Sequence, residues 1–430
     1  MNIVFTMSGW EGGGGGTILP NQIARGLAKR GNQVTVIYSD LRKLPGRPMY
    51  SVEVVWKEGV RLFGIHNLLD FSTRVQHPEY DMDNARMRHL LSQLLSSIQP
   101  DIVHYHSLSD FSMSIIEEFK HAGIPGIYTS HNYWPLCPRM YLFKKDLTPC
   151  SGPSKDGSRC AECIGRLDKT ISYARRTDKA RQLLSETVDL HLTVSERVRR
   201  IFIQNDHDGS RIDVLHPQPE TADSIWRQAG LCRPPGVPAF RPLRIGFLGN
   251  LYAWKGVHIL IEALQMFDQG VLEAHIFGDG PNSYLELLRQ KDRKHFARFH
   301  GRYGPHDLYR LLGEVDVVVV PSICEETGGL VVLEALSARV PVVGSRIGGI
   351  PEFIQDGVNG FLCDPGNPVD LAAILQKFTS DRNLLPAMQK NIVRPEGFGA
   401  YLDKLSFHYK EVIAVHRRPP EGSLLPTQVE

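Results

Sequence analysis

Short apolar runs of strand length alternate with helical patterns along most of this chain, and that alternation limits its fold more than any other feature. "NIVFTM" (2–7), "QVTVIYS" (33–39) and "DIVHYHS" (101–107) are rich in β-branched and aromatic residues, with helical stretches between them. The series continues with "GIYTSH" (126–131) and "LHLTVS" (190–195). Continuous apolar strands that alternate with helices are typical of a parallel sheet covered by helices on both faces. We therefore predict an α/β fold of the doubly wound kind.

The alternation is interrupted once and then begins again. The segment "CRPPGVPAFRPLR" (232–244) is rich in proline and has no periodicity, which indicates a linker. New apolar runs follow, among them "RIGFLGN" (244–250), "EAHIFGDG" (273–280), "VDVVVVPS" (315–322) and "VPVVGS" (340–345). The predicted organisation is therefore an N-terminal domain over 1–215, a linker over 216–243, a C-terminal domain over 244–399 and a disordered tail over 417–430.

Composition and charge exclude several classes of protein. The 430 residues are 42% hydrophobic and 22% charged, which is an ordinary globular balance. A net charge of +2 is too small for a dedicated nucleic-acid binder. No apolar run reaches the ~18 residues of a membrane span, and no basic leader precedes the first strand, so a cytoplasmic location is expected. Basic residues outnumber acidic ones between Arg139 and Arg200, which leaves a peripheral membrane contact open beside the simpler reading of a solvated surface.

A glycine loop follows the first strand. In "SGWEGGGGGT" (8–17) the run that ends at Gly14, Gly15 and Gly16 leads into a predicted helix. Glycines let the backbone approach an anion, and a helix N-terminus offers free N–H groups, so a phosphate is expected there. Asp40, near the end of the second strand, would also suit a dinucleotide fold, which keeps an NAD-dependent oxidoreductase open as an alternative.

The C-terminal half carries a denser set of anion-binding signals. "GNLYAWKG" (249–256) places Lys255 at a strand–helix junction, where an ammonium group can neutralise phosphate. Glu326 and Glu334 lie on either side of a predicted helix start, and we expect the second acid to hold neutral hydroxyls such as a ribose diol. The loops that would face the anion contribute Gly278, Gly280, Gly328, Gly329 and Leu330.

In their order and separation, these motifs resemble the retaining GT-B-fold glycosyltransferases of family 4, the group 1 type. The resemblance rests on Gly249, Lys255 and Gly256, on the E-x7-E pair Glu326 and Glu334, and on "PVVGSRIGGIPEFIQDGVNGFL" (341–362), and it extends over about 1–415. It implies two Rossmann-like domains that face a central cleft. It also implies that a last helix, over 400–416, returns to the N-terminal domain.

The resemblance also implies an activity and roles for single residues. A hexosyl-type transferase would move a sugar from a UDP- or GDP-sugar to the hydroxyl of a carbohydrate, lipid-linked or small-molecule acceptor, with retention and without a catalytic metal. Lys255 would contact the donor diphosphate, Glu334 the ribose and Glu326 the transferred sugar. Backbone N–H groups of Gly328, Gly329 and Leu330 would bind phosphate, and His131 would line the reaction centre. Asn250 departs from the pattern, because the family usually has a basic residue there.

Other readings remain beside this one. A GT-B-fold sugar-nucleotide epimerase or phosphorylase would share the same motifs, whereas an oxidoreductase would leave Lys255, Glu326 and Glu334 without a role. The acidic triplets "DMD" (81–83) and "DHD" (206–208) do not follow strands, so we predict that they are surface acids rather than metal ligands. A strand histidine is more often core or pocket lining than a ligand. No metal site is therefore expected at His104, His106 and His131.

Four clustered cysteines raise the question of a structural metal. Cys160 and Cys163 form a C-x-x-C pair, and Cys137 and Cys150 could complete a tetrahedral zinc site. Free buried thiols and a redox pair are the alternatives, and a zinc-bearing partner-binding protein is a minor reading of the whole chain. Because the segment follows "TSHNYWPL" (129–136), it is expected to overhang the cleft as an acceptor-facing lid, with Lys144, Lys145, Lys155 and Arg159 on it.

Overall fold

The computed structural model describes residues 1–11, 14–40, 42, 46–67, 71–232 and 241–417. Within these residues the chain forms two sheets, one in each half. The N-terminal sheet has eight strands in the order β3-β4-β2-β1-β5-β6-β7-β8, and all neighbours are parallel except β3 and β4. Its strands are β1 Asn2–Met7, β2 Gln33–Asp40, β3 Val52–Lys57, β4 Val60–His66, β5 Ile102–Tyr105, β6 Gly126–Ser130, β7 Leu190–Thr193 and β8 Ile212–Val214.

The helices of this half follow the strands in sequence and cover the sheet. Two of them begin at capping side chains: Asn84 accepts a hydrogen bond from the N–H of Met87, and Ser195 accepts one from the N–H of Val198. The helices are α1 Gly15–Lys29, α2 Phe71–Gln76, α3 Glu79–Met82, α4 Ala85–Ile98, α5 Ser114–His121, α6 Ser158–Ile164, α7 Thr170–Gln182, which a π-helical turn Leu183–Thr187 extends, and α8 Glu196–Gln204.

The C-terminal half repeats the architecture with six parallel strands in the order β11-β10-β9-β12-β13-β14. The strands are β9 Leu243–Leu248, β10 Leu272–Phe277, β11 Ala297–Gly301, β12 Val317–Val320, β13 Val342–Ser345 and β14 Gly360–Cys363. The helices are α9 Glu220–Cys232, α10 Val257–Leu264, α11 Asn282–Lys291, α12 Leu308–Gly313, α13 Leu330–Ser337, α14 Pro368–Ser380, α15 Leu384–Asn391 and α16 Phe398–His416.

The predicted fold class is confirmed: two parallel α/β domains face each other. The sequence reading did not identify the β3–β4 hairpin, β11 or β14, because their short apolar runs are interrupted by charged or glycine residues. Within the segment predicted as a linker, α9 is helical and packs against α12 and α13 of the C-terminal half. Residues 233–240 of that segment and 418–430 of the predicted tail lie outside the described residues.

Helix α16 crosses from the C-terminal half to the N-terminal sheet. Phe398, Leu405 and Tyr409 are buried in one apolar cluster with Ile3 and Ile23 of the first strand and first helix. The hydroxyl of Tyr409 also lies 2.7 Å from His104 Nδ1, inside the sheet. Burying these large side chains contributes roughly 1.5–3 kcal/mol each, so this helix fastens the end of the chain to its beginning.

The prediction that Asp81 is a surface acid is wrong. Its side chain is 2% exposed and accepts a hydrogen bond from Arg176 Nε at 2.5 Å. Arg176 also donates to the carbonyl of Trp134, so this buried pair holds the chain just after β6. Asp83 and the "DHD" acids Asp206 and Asp208 are exposed, as predicted. Among the described residues, no helix combines the length and the apolar character needed to cross a membrane.

Candidate active site

A cleft of about 830 Å³ lies between the two domains, where the carboxyl ends of strands from both sheets meet. Both halves of the chain line it. The residues singled out from the sequence for catalysis and donor binding all lie on its walls: Gly14, Gly15, Gly16, His131, Gly249, Asn250, Lys255, Gly278, Gly280, Glu326, Gly328, Gly329, Leu330 and Glu334.

Lys255 and Glu326 form an ion pair on the C-terminal wall. Lys255 Nζ donates to Glu326 Oε1 at 2.5 Å, and the hydroxyl of Ser322 donates to the same oxygen at 2.7 Å. Burial disfavours charge on both groups, but their mutual attraction outweighs it, so the pKa of Lys255 is raised and the pKa of Glu326 is lowered. Both side chains are therefore charged at neutral pH and give a positive and a negative group side by side.

The position of Lys255 depends on the glycine that follows it. Gly256 has a φ of 71°, and a Cβ atom there would lie 1.8 Å from the carbonyl oxygen of Pro321, at the end of β12. Glycine thus lets the turn that ends at Lys255 pack directly against the segment that carries Ser322. This close approach brings the cation of one loop to the carboxylate of the other.

Glu334 is half-buried in a separate part of the same wall. It lies in the second turn of α13, and its Oε1 accepts a hydrogen bond from the hydroxyl of Thr221 at 3.3 Å. Burial raises the pKa of Glu334 to about 7, although the bond from Thr221 acts in the opposite direction. Near neutral pH this carboxyl therefore exists in both forms, and in either form it can hydrogen-bond to hydroxyl groups.

The N-terminal wall is built around the glycine loop and the start of α1. A Cβ atom on Gly15 would lie 2.7 Å from Leu330 Cδ1, and one on Gly16 would lie 3.3 Å from the Cβ of His131. The loop therefore reaches across the cleft to the first residue of α13. Two helix N-termini, those of α1 and α13, meet in the same region of the cleft, and both offer free backbone N–H groups.

A pair of histidines lies beneath this loop. His131 Nε2 and His106 Nδ1 are 2.9 Å apart and share a hydrogen bond. Burial lowers the pKa of His131 to about 4 and the pKa of His106 well below its ordinary value, so both rings are neutral at pH 7. The sequence analysis did not assign His106 to the site. Its local signal is that it directly follows β5, at the carboxyl end of a parallel strand, where the ligand crevice of such a sheet lies.

Polar contacts brace the E-x7-E loop against the N-terminal domain. Arg197 donates to both carboxylate oxygens of Glu325, at 2.5 and 3.0 Å, and the hydroxyl of Thr327 donates to the carbonyl of His131 at 3.0 Å. Glu352 accepts hydrogen bonds from the first two N–H groups of α8, at 2.9 and 2.8 Å. These bridges hold the two walls of the cleft together, and no local pattern in the sequence indicates them.

The segment between Cys137 and Cys163 divides into two parts. Its first part includes Met140 and Tyr141, which line the cleft, and Phe143, which packs into the core of the C-terminal domain. Its second part, with Cys150 and Cys160, packs on the N-terminal domain. The basic side chains predicted to overhang the cleft do not line it and instead make local contacts: Lys144 with Asp146, Lys145 with the carbonyl of Ile164, Lys155 with Asp206 and Arg159 with Ser151 and Gly152.

The four clustered cysteines form no disulfide bonds and lie outside the cleft. Burial raises the pKa of Cys137 and raises the pKa of Cys160 to about 12, while Cys163 Sγ lies 3.7 Å from Arg139 Nη1. In the described parts of the chain, no group of three or more histidine, cysteine or acidic side chains is arranged to hold a metal ion. Zinc binding by these cysteines stays a prediction.

Asp40, on which the oxidoreductase alternative depends, is already bound by two arginine side chains. Its carboxylate accepts hydrogen bonds from Arg42 Nε at 2.8 Å and from Arg47 Nη1 at 2.6 Å. The bond from Arg42 and the neighbouring charge lower the pKa of Asp40 to about 2. Asp40 therefore belongs to a local cluster with Arg42 and Arg47 and does not line the cleft.

Comparisons with known proteins match both domains to glycosyltransferase families. Residues 13–223 match the family described as glycosyltransferase family 4, and residues 239–394 match glycosyl transferases group 1. An uncharacterized glycosyltransferase of Methanocaldococcus jannaschii, MJ1607, is 38% identical over 306 residues, which are 65% of this chain and 74% of that protein. A D-inositol 3-phosphate glycosyltransferase of Corynebacterium efficiens is 28% identical over 333 residues, 71% of this chain and 76% of that protein.

A solved structure shares the two-domain fold. Anabaena Alr3699/HepE, in complex with UDP and glucose, superposes with a TM-score of 0.67 at 19% identity, over 95% of this chain and 99% of that one. The oxidoreductase alternative is set aside by the family matches. The chain belongs to the group 1 glycosyltransferases of family 4 and has the GT-B fold that its resemblance to this family implied.

Proposed function

We propose that the protein transfers a sugar from a nucleotide-diphosphate sugar, a UDP- or GDP-sugar, to a hydroxyl group of an acceptor, with retention at the anomeric carbon and without a catalytic metal. One observation carries this proposal. A lysine, a paired carboxylate, a helix N-terminus and a second, half-buried carboxyl lie along one wall of a single cleft. A diphosphate, a sugar and a ribose would need groups of these kinds, in this neighbourhood.

The donor would lie along the C-terminal wall. Lys255 and the N–H groups at the start of α13 would bind the diphosphate, and Glu334 would accept hydrogen bonds from the ribose hydroxyls. When the donor binds, Lys255 would pair with the phosphate instead of Glu326. Glu326 would then bind hydroxyls of the transferred sugar. The family usually has a basic residue at the position of Asn250. Because Asn250 is uncharged, Lys255 would neutralise a larger part of the phosphate charge.

The chemistry needs no protein nucleophile. The bond between the anomeric carbon and the diphosphate oxygen breaks, and the acceptor oxygen bonds to that carbon from the same face. The acceptor proton passes to an oxygen of the departing diphosphate. Negative charge grows on that diphosphate as the bond breaks, so Lys255 and the backbone N–H groups bind the transition state more tightly than the donor itself. The neutral imidazole of His131 would hydrogen-bond to the sugar near the reacting carbon.

The names of related proteins suggest the first donor to test. The Anabaena structure contains UDP and glucose, so UDP-glucose heads the panel, with other UDP- and GDP-sugars after it. The acceptor is left to the same screen, because carbohydrate, lipid-linked and small-molecule hydroxyls all suit a transferase of this kind. A lipid-linked acceptor would also bring the protein to a membrane surface.

Mass spectrometry of donor hydrolysis, followed by transfer to an acceptor panel, tests this proposal. We expect one nucleotide sugar to release its nucleoside diphosphate and Lys255→Ala to lower the rate of that release about 100- to 1,000-fold. Lys291→Ala is the matched control, because Lys291 pairs with Glu262 away from the cleft. Interconversion of two sugar nucleotides, or phosphate-dependent release of a sugar phosphate, would instead identify an epimerase or a phosphorylase.

A further inference from the structure

Tyr141 is held in an unusual way at the edge of the cleft. The residues on both sides of it, Met140 with a φ of 73° and Leu142 with a φ of 47°, have left-handed backbone conformations. A non-glycine residue in this region is strained, so it persists only where surrounding contacts require it. Here Leu142 is buried in the N-terminal core and Phe143 in the C-terminal core, which fixes the loop 140–143 between the two domains.

This loop places Tyr141 at the end of a stack of three aromatic rings. The ring of Tyr141 packs on Trp254 with centroids 4.8 Å apart and planes 27° apart. Trp254 in turn stacks on Tyr252 at 4.5 Å and 5°. All three rings line the cleft, and Trp254 directly precedes Lys255. Tyr141 remains 40% exposed, although this packing covers part of its ring.

The charge on the two walls of the cleft is unequally distributed. The charged side chains that line it among the described residues come from the C-terminal domain: Lys255, Asp279, Arg302, Glu325, Glu326 and Glu334. The described lining residues of the N-terminal domain are apolar, hydroxyl, amide, aromatic or glycine residues, together with His106 and His131, which are neutral at pH 7. A phosphorylated acceptor on that side would find no arginine or lysine of the described wall to pair with.

These observations concern the acceptor, and the inference rests on the proposed function. We propose that Tyr141 is a stacking platform that binds the ring of an uncharged sugar acceptor. The negative face of an aromatic ring attracts the C–H groups of a pyranose, while the hydroxyls of that pyranose would find partners on the polar N-terminal wall. The relative from Corynebacterium efficiens is named for a phosphorylated acceptor, D-inositol 3-phosphate, and on this argument the present chain prefers a neutral one.

Transfer kinetics with defined acceptors tests this inference. The probes are methyl α-pyranosides of glucose, galactose and mannose, with D-inositol 3-phosphate as the charged comparison, and the donor is the one that the hydrolysis screen identifies. We expect Tyr141→Ala to raise the KM of the best methyl pyranoside about five- to tenfold and to leave the KM of the donor and its acceptor-free hydrolysis unchanged. Tyr141→Phe keeps the ring and should retain near-normal values.

Tyr80→Ala is the matched control. Tyr80 is 48% exposed in the same domain and lies outside the cleft, so its removal should change neither substrate's KM. Thermal unfolding checks that each variant is folded. An unchanged acceptor KM in a folded Tyr141→Ala variant, or a preference for D-inositol 3-phosphate over every neutral pyranoside, overturns the inference.

A binding measurement separates this inference from the proposed function. Saturation-transfer NMR detects methyl pyranosides on the protein without any donor, and Tyr141→Ala should weaken that signal whereas Tyr80→Ala should not. If no nucleotide sugar is hydrolysed, the proposed function fails, yet this NMR comparison still decides whether Tyr141 binds a sugar ring. Equal signals from Tyr141→Ala and wild type would refute the platform.

Discussion

The two walls of the cleft differ in how they are built. The C-terminal wall concentrates charge, with Lys255 and Glu326 paired at 2.5 Å and Glu334 half-buried on the same wall. The N-terminal wall is formed by a glycine loop, neutral histidines and the loop that carries Tyr141. Charged groups are needed where negative charge grows during bond cleavage, whereas a neutral hydroxyl needs shape and hydrogen bonds. Under the proposed function, this difference separates a donor side from an acceptor side.

The largest effect is expected at the charged wall. Replacing Lys255 by alanine should lower kcat about 100- to 1,000-fold, because it removes a donor group aimed at charge that develops in the transition state. Donor KM should change much less. Steady-state kinetics on the donor measures both, with Lys291→Ala as control. Full activity of Lys255→Ala would show that the phosphate site lies elsewhere.

Glu334 should control nucleotide affinity rather than turnover. Glu334→Ala should weaken UDP or GDP binding about 10- to 100-fold, the usual effect of losing hydrogen bonds to a charged group. In the wild type, affinity should rise with pH across pH 7, because the carboxylate is the better acceptor for ribose hydroxyls and burial raises the pKa of Glu334 to about 7. Calorimetry at pH 5.5 and pH 8 measures this, and a flat profile would contradict the assigned role.

The same raised pKa predicts a stability effect of known sign. The folded protein retains a proton on Glu334 that the unfolded chain loses at lower pH, so the contribution to stability is present at low pH and is lost as the pH rises through 7. Glu334→Gln should therefore increase the free energy of unfolding at pH 8 by on the order of 1–3 kcal/mol, and much less at pH 5. Denaturant unfolding of the ligand-free protein at both pH values tests this.

The features that could be predicted from the sequence are local motifs, whereas the features that could not are long-range pairings. Strand-end glycine loops, Lys255 and the E-x7-E acids are local patterns, and local patterns place residues at the carboxyl ends of parallel strands, so the lining of the cleft followed from them. Arg197 and Glu325 are bridged across 128 positions, and the partner of Asp81 comes 95 positions later. The first pairing depends on how the two domains dock and the second on the tertiary packing of the N-terminal domain, and neither leaves a periodic signal.

The thiol-bearing segment should affect the acceptor side alone. Changing Cys160 and Cys163 to serine together is expected to reduce transfer several-fold while donor-nucleotide binding stays normal, because the same segment carries Tyr141 into the cleft. Buried apolar packing at Cys160 would be weakened as well. Elemental analysis of the purified protein decides separately whether zinc is present. Normal transfer with unchanged stability would remove both the zinc site and the lid from consideration.

A smaller effect is expected where the walls are joined. Arg197 pairs with Glu325 across the domains, and its side chain is 37% exposed. An ion pair this accessible contributes roughly 0.2–1 kcal/mol, so Arg197→Ala should change the KM of donor and acceptor together by no more than about fivefold. Arg181→Ala, which removes a pair with Asp178 on one helix, serves as control. A large effect on one substrate only would show that Arg197 belongs to one wall.

No effect is expected from removing free divalent cations. Neither acidic triplet lies in the cleft, and Lys255 with the helix N-termini can stabilise the leaving diphosphate. Activity should therefore survive EDTA without added Mg²⁺ or Mn²⁺. Strict dependence on either ion, restored on re-addition, would overturn the metal-free mechanism.

Calorimetric titration of UDP and GDP into the wild type, Glu334→Ala and Tyr141→Ala tests the division of the cleft most directly. The account predicts that one nucleotide binds the wild type, that Glu334→Ala weakens this binding at least tenfold, and that Tyr141→Ala leaves it within a factor of about two. Nucleotide binding that survives the loss of Glu334 but is lost with Tyr141 would place the donor on the opposite wall and contradict the account.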